Sequence, residues 1–171
     1  ISGIYHPGDA LANLSQAEGP GKAYSSAELF AILNQGFHDY QGDIEQGQLI
    51  YQAALCATCH RMRGEGGNIG PDLTQLHSRF GGYEMVIAIF SPHDQISDQY
   101  ANTRFDLNDG SQVTGKLISE TDEQYLVQPN PYDATQITRL AKVDVQTTAR
   151  SPFSPMPPGL LNRLNESEIR D

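Results

Sequence analysis

Apolar positions are sparse at the start of this chain and become periodic only later. Residues 1–24 are rich in Gly, Pro, Ser and Asn without a repeating apolar position, which predicts an extended arm or linker. Ser25 and Glu28 have the S-x-x-E form of a capping box. Leu29, Ile32 and Leu33 follow as a short apolar stripe before Gly36, so a helix is expected over 26–35. Asp43 is placed to cap a second helix from 44 to about 55. Ile44, Tyr51 and Leu55 fall near helical spacing there, with Gly47 on the same side permitting close approach of another element. Four glycines and Pro71 between Arg63 and Asp72 predict a loop, with Asp72 or Thr74 able to start a brief helical turn. Tyr83–Phe90 reads as a third helix, stopped at Ser91-Pro92 because proline disfavours helix at the residue before it.

From about residue 99 the period changes from helical to alternating. Thr103–Leu107 alternates, Asn108-Asp109-Gly110 is a hairpin turn signal, and Gln112–Ser119 alternates again. Gln124–Gln128, Ile137–Leu140 and Val143–Thr147 are further short strand candidates, so 99–149 reads as a small antiparallel β module. Leu160, Leu161 and Leu164 return the tail to helix, and Asn165 with Glu168 repeats the capping-box pattern just before Asp171.

Composition narrows what such a chain can do. Its 171 residues suit one domain, or one domain carrying an insertion. A formal charge of −10 argues against nucleic acid, whose binding rests on Lys and Arg against phosphate. Acidity suits solubility, or steering towards a basic partner. The longest apolar run, Met85–Phe90, is six residues and far short of a membrane span. The chain opens at Ile1 without an initiator Met or a leader-like segment, and so reads as processed or excised from a longer precursor.

The chemistry is concentrated in Cys56-Ala57-Thr58-Cys59-His60. Two thiols three positions apart can add to the two vinyl groups of one haem, and the adjacent histidine is carried under the ring as an iron ligand. These are the only cysteines, so a structural zinc site with its usual second pair is not available. A redox dithiol would need no following histidine. The motif therefore implies one covalent haem c, bound through Cys56, Cys59 and His60. Haem attachment of this kind takes place outside the bacterial cytoplasm, which makes the chain periplasmic or otherwise exported.

Two more residues join this site. An axial imidazole needs its second nitrogen oriented by an acceptor, and Pro71, eleven residues beyond His60 across the glycine-rich loop, offers a carbonyl and a rigid ring. Three methionines compete for the sixth iron position. Met62 is two residues from His60 and cannot cross to the opposite haem face; Met85 lies in an apolar helix where core packing explains it. Met156 sits in Ser154-Pro155-Met156-Pro157-Pro158, and a loop stiffened by prolines offsets the entropy of ordering a flexible thioether. Met156 is favoured, with His6, His38, His77 and His93 as competing ligands. Arg61, Arg63 and Arg79 are candidate partners for haem propionates.

Taken in order, Cys-Ala-Thr-Cys-His-Arg, the run from Gly64 to Leu73, Asp109-Gly110 with Gly115, and Ser154 to Leu161 resemble the haem-binding cytochrome c domain of the Pirellula/Verrucomicrobium type. The resemblance covers about 42–171 and leaves 1–41 outside. It implies a mainly α class I cytochrome c fold with an inserted small antiparallel β module, α+β overall. The implied organisation is an N-terminal arm with a short helix (1–41), the first part of the core with haem attachment (42–98), the β insertion (99–149), and the axial-methionine loop with a truncated final helix (150–171). The insertion accounts for the 96 positions separating His60 from Met156 (156 − 60). Relatives of this type continue the final helix for several turns, so its brevity here suggests trimming, or cover from the helix at 26–35.

Two functions are consistent with these residues. One is a one-electron carrier with a His60/Met156-ligated haem, serving a redox partner protein or forming the electron-accepting domain or subunit of an exported dehydrogenase. The other is a haem sensor or catalytic module with a labile sixth ligand. No Ser/His/Asp grouping, carboxylate pair or phosphate-binding glycine loop points to other catalysis.

Overall fold

The computed structural model describes residues 21–39 and 42–171, and the backbone alone for 35–39. The arm expected at the N-terminus lies largely outside the described residues, as do His6 and the side chain of His38. The chain forms two compact units: one comprises the chain up to Ser91 together with Pro158–Asp171, the other Pro92–Pro157. Helices dominate the first and an antiparallel sheet the second, so the chain mixes α and β structure.

In the first unit, α1 (Ser26–Asp39) starts on the predicted box. Glu28 accepts the Ser25 backbone N–H at 2.8 Å and Ser25 Oγ accepts the Glu28 N–H at 3.3 Å. The helix runs through Gly36 rather than stopping there, since glycine weakens a helix interior by only about 1 kcal/mol relative to alanine. Asp43 caps α2 (Ile44–Ala53) by accepting the N–H groups of Glu45 and Gln46. After α3 (Cys56–Cys59) come α4 (Gly82–Phe90), a 3-10 turn at Leu160–Arg163, and α5 (Glu166–Arg170), whose Asn165/Glu168 capping box is complete.

Two apolar clusters hold these helices. Tyr24, Leu29, Ile32 and Val86 are buried together, with Leu33, Phe90, Leu161 and Ile169 packed on them. Ile50, Ala54 and Leu164 form the second cluster, touched by Cys56, Leu161 and Ile169. Burying a Leu or Ile side chain stabilises by about 1.5–3 kcal/mol, and Leu161 and Ile169 serve both clusters. Tyr24, expected within a linker, is a core residue whose hydroxyl donates to the Leu164 carbonyl at 2.8 Å. The stripe expected on α2 is also displaced. Ile44 is 79% exposed and Leu55 39%, whereas Gly47, Ile50 and Ala54 face inward, roughly a quarter-turn round the helix. Small residues decide that face: a Cβ on Gly47 would collide with the Asp171 carbonyl oxygen. Large apolar positions alone pointed to the wrong side.

The second unit is a five-stranded antiparallel sheet in the order β6-β5-β4-β3-β7. Its strands are β3 (Thr103–Leu107), β4 (Gln112–Glu120), β5 (Gln124–Gln128), β6 (Thr138–Ala141) and β7 (Val145–Arg150). Phe105 and Val127 are fully buried and Leu140 nearly so, with Leu107, Val113, Leu117, Tyr125 and Val145 around them. Gly110 turns the β3–β4 hairpin at φ 85°, as Asn108-Asp109-Gly110 predicts. The last strand begins two residues later than expected. Lys142–Asp144 forms a 3-10 turn instead, held by Asn108, which donates its backbone N–H to Asp144 and its side-chain amide to Val143. Val143 is consequently 83% exposed.

Candidate haem site

The motif is presented by a sharp change of direction. α2 ends at Ala53, and Leu55 takes a left-handed conformation (φ 66°, ψ 12°) that starts α3 on a new axis. A non-glycine residue there costs about 1 kcal/mol or more, which its neighbours must offset. Cys56 and Cys59 then occupy one turn of α3, where side chains three apart share a face. Tyr51 on α2 fixes the exit by donating its hydroxyl to the His60 carbonyl at 2.9 Å. Burial of that phenol pushes its pKa up to about 12, so it remains a donor at neutral pH.

Downstream of His60 the chain is not a plain loop. Arg61–Met62 and Glu65–Gly66 pair as β1 and β2, a minimal hairpin. Its two turn residues, Arg63 (φ 52°) and Gly64 (φ 88°), both have the positive φ that a type I′ turn requires. The hairpin folds the glycine-rich stretch back onto the motif. Gly67 donates its N–H to the Ala57 carbonyl at 2.9 Å, and Gly70 to the Cys59 carbonyl at 2.8 Å. Gly70 lies flat against the imidazole of His60, where an added Cβ would come within 2.5 Å of Cε1.

This packing delivers Pro71 to His60. Nδ1 of His60 lies 2.9 Å from the Pro71 carbonyl oxygen, the contact anticipated from the loop spacing. A carbonyl only accepts, so Nδ1 carries a proton, and in the neutral ring Nε2 keeps its lone pair. Asp72 next turns the chain by accepting the Thr74 N–H at 2.8 Å, and Thr74 Oγ1 accepts the Arg63 N–H at 2.8 Å. Hydrogen bonding by the side chain and the backbone N–H of Thr74 holds the Asp72 carboxyl below its ordinary value, consistent with a structural role.

Burial pushes the Cys56 thiol up to about 11, whereas a reactive cysteine needs a lowered pKa. Cys56, Cys59 and His60 do not converge: among the described residues no three His, Cys, Asp or Glu side chains gather to hold a bare metal ion. Two thiols on one helical turn, followed by an imidazole whose Nδ1 is tied to a carbonyl, fit the donor set of a covalently attached haem.

The comparison with known families agrees. Residues 44–112 match the family model Cytochrome c. The match supports a cytochrome c domain over that stretch. Such a domain implies covalently bound haem c and haem-based electron transfer with a redox partner. No curated protein matches the chain. Among the described residues no helix is long and apolar enough to cross a membrane.

The other proposed ligand belongs to the second unit. Met156 lies two positions before Pro158, where the chain re-enters the first (158 − 156). Its backbone N–H donates to Ser154 Oγ at 3.1 Å, so the proline-rich stretch is fixed by side chains as well as by its rings. Met85 is half-buried on α4, where Val86 is the buried residue, and Met62 is 38% exposed on β1. Sequence reasoning missed several contributors: Tyr51, read only as part of an apolar stripe; Gly70 as a packing surface; and Ser151 and Ser154. Hydroxyls in a proline-rich loop were the one available signal.

Proposed function

We propose that this chain is an exported one-electron carrier whose single haem c is held through Cys56 and Cys59 and ligated by His60 and Met156. The observation that carries this reading is the His60 Nδ1–Pro71 hydrogen bond, which orients the imidazole and leaves Nε2 to the iron. When bound, the haem supplies reversible Fe(III)/Fe(II) cycling. The protein's own residues do the rest. Tyr51, Gly70 and Pro71 hold His60 in one tautomer and one orientation, and Ser154 holds the backbone of Met156. Such preorganisation keeps ligands from exchanging as the iron changes charge, which makes electron transfer fast and substrate binding slow.

The class I arrangement fits this reading, with the helical unit supplying the haem-bearing core and the sheet as the insertion that precedes the axial methionine. An acidic chain suits a basic redox partner, and an exported dehydrogenase is the partner class proposed. The test is an optical spectrum of the purified ferric and ferrous protein, with a carbon monoxide challenge. A low-spin spectrum with the far-red sulfur-to-iron band and no carbon monoxide binding is expected. Replacing Met156 by Ala should abolish that band and open the iron. A wild-type protein that binds carbon monoxide readily would instead make it a sensor or catalyst.

A further inference from the structure

The loop bearing Met156 is held from outside itself, by a residue 63 positions earlier (156 − 93). His93 follows Pro92 at the start of the sheet unit, and its Nδ1 lies 3.1 Å from the backbone N of Ser154. A backbone N–H only donates, so Nδ1 is the acceptor and the neutral ring carries its proton on Nε2. That tautomer removes His93 from the competing iron ligands, for both nitrogens are spoken for or protonated. The ring also meets Phe153 edge to face, with centroids 5.5 Å apart and planes at 84°. From Ser154 the connection continues, because its Oγ accepts the Met156 N–H at 3.1 Å.

The two segments are joined at further points. Ser151, which is buried, donates its N–H to the Asn102 carbonyl at 2.8 Å, and its Oγ accepts the Phe153 N–H at 3.1 Å. Arg150 reaches Asp98 at 2.7 Å and also donates to the Ile96 carbonyl. Residues 92–102 therefore form a brace along 150–156. Within that brace, His93 is the member whose bond falls on the residue that holds the methionine.

We infer that His93 is a positioning residue for the sixth ligand, setting the Met156 backbone through Ser154; this rests on the reading of Met156 as the axial ligand. A thioether binds iron weakly, so a loop held in place makes the ligand harder to displace. Losing one hydrogen bond of this kind should ease displacement by roughly threefold to tenfold.

The experiment is a titration of the ferric holoprotein with imidazole, followed at the far-red sulfur-to-iron band. His93→Ala should bind imidazole roughly threefold to tenfold more tightly than wild type. His93→Asn, whose amide oxygen can take the place of Nδ1, should return towards wild type. Ser154→Ala breaks the second link and should give a similar gain, and it carries the test by itself if His93→Ala does not fold. Unchanged imidazole affinity in the folded variants, with the band still lost in Met156→Ala, would overturn the role of His93 alone. A Met156→Ala protein that keeps the wild-type band would overturn the ligand assignment beneath it. A lowered melting temperature with unchanged imidazole affinity would make His93 merely structural.

Discussion

A single hydrogen atom at Gly70 decides whether the imidazole of His60 can lie where it does. The added methyl of Gly70→Ala would meet Cε1 at 2.5 Å and Nδ1 at 2.8 Å, so the ring or the loop must move. Overpacking of this kind costs about 1–3 kcal/mol. The holoprotein should lose that much in denaturant unfolding followed at the Soret band, and its ferric spin state should change. An unaltered stability and spectrum would show that Gly70 is only a turn residue. Tyr51 acts on the backbone of His60. Tyr51→Phe leaves the His60 carbonyl without its 2.9 Å donor and should cost about 1 kcal/mol, again read from unfolding midpoints.

At the scale of elements, helix boundaries followed local chemistry and helix faces followed neighbours. Asp43 and Asn165 cap as their patterns foretold, because a cap is satisfied within three residues. On and just after α2, Gly47 marks the close approach that its missing side chain suggests, whereas Ile44 and Leu55 are exposed and Ile50 and Ala54 take the buried face. Gly47→Ala gives that face a decisive test. In a solvent-facing helix the change would stabilise by up to about 1 kcal/mol. Here the methyl meets the Asp171 carbonyl, so we expect a net loss of stability in thermal unfolding. The start of α1 has a pH signature. Hydrogen bonds from Lys22 and Ser25 bring Glu28 down to about 2, below its ordinary value in the unfolded chain. Its contribution is therefore present above the unfolded pKa and is lost as pH falls towards about 2. Glu28→Gln should narrow the gap to wild type in urea midpoints as the solution is acidified across that range. The effect will be modest, because the group is exposed and screened by salt.

The whole molecule is governed by its charge. At −10 before haem propionates are counted, it should repel anionic oxidants and attract cationic ones. Stopped-flow oxidation of the ferrous protein by ferricyanide should quicken with added salt, and oxidation by a cationic cobalt complex should slow. The response should span the range in which the screening length falls from about 30 Å to about 8 Å. Identical salt dependence for both reagents would mean that the charge is spread away from the exposed haem edge, and would weaken the case for a basic partner.

The sequence by itself determined the features written in short spacings: the Cys56–His60 motif, the capping residues, the Asn108–Gly110 turn and the alternation of the strands. Each is settled by covalent reach or by hydrogen bonds within a few residues, so no distant neighbour is needed to read it. The Pro71 contact was also legible, since eleven residues of glycine-rich chain can return to their origin. Only the tertiary structure decided which residues meet across long separations. Tyr24 reaches Leu164, Gly47 admits the backbone of Asp171, and His93 braces Ser154. The 3-10 turn at Lys142–Asp144 likewise owes its place to Asn108, 34 to 36 positions away (142 − 108, 144 − 108). Those pairings depend on how helices and strands pack, and packing selects for shape and small size where the pattern of apolar residues records only hydrophobicity.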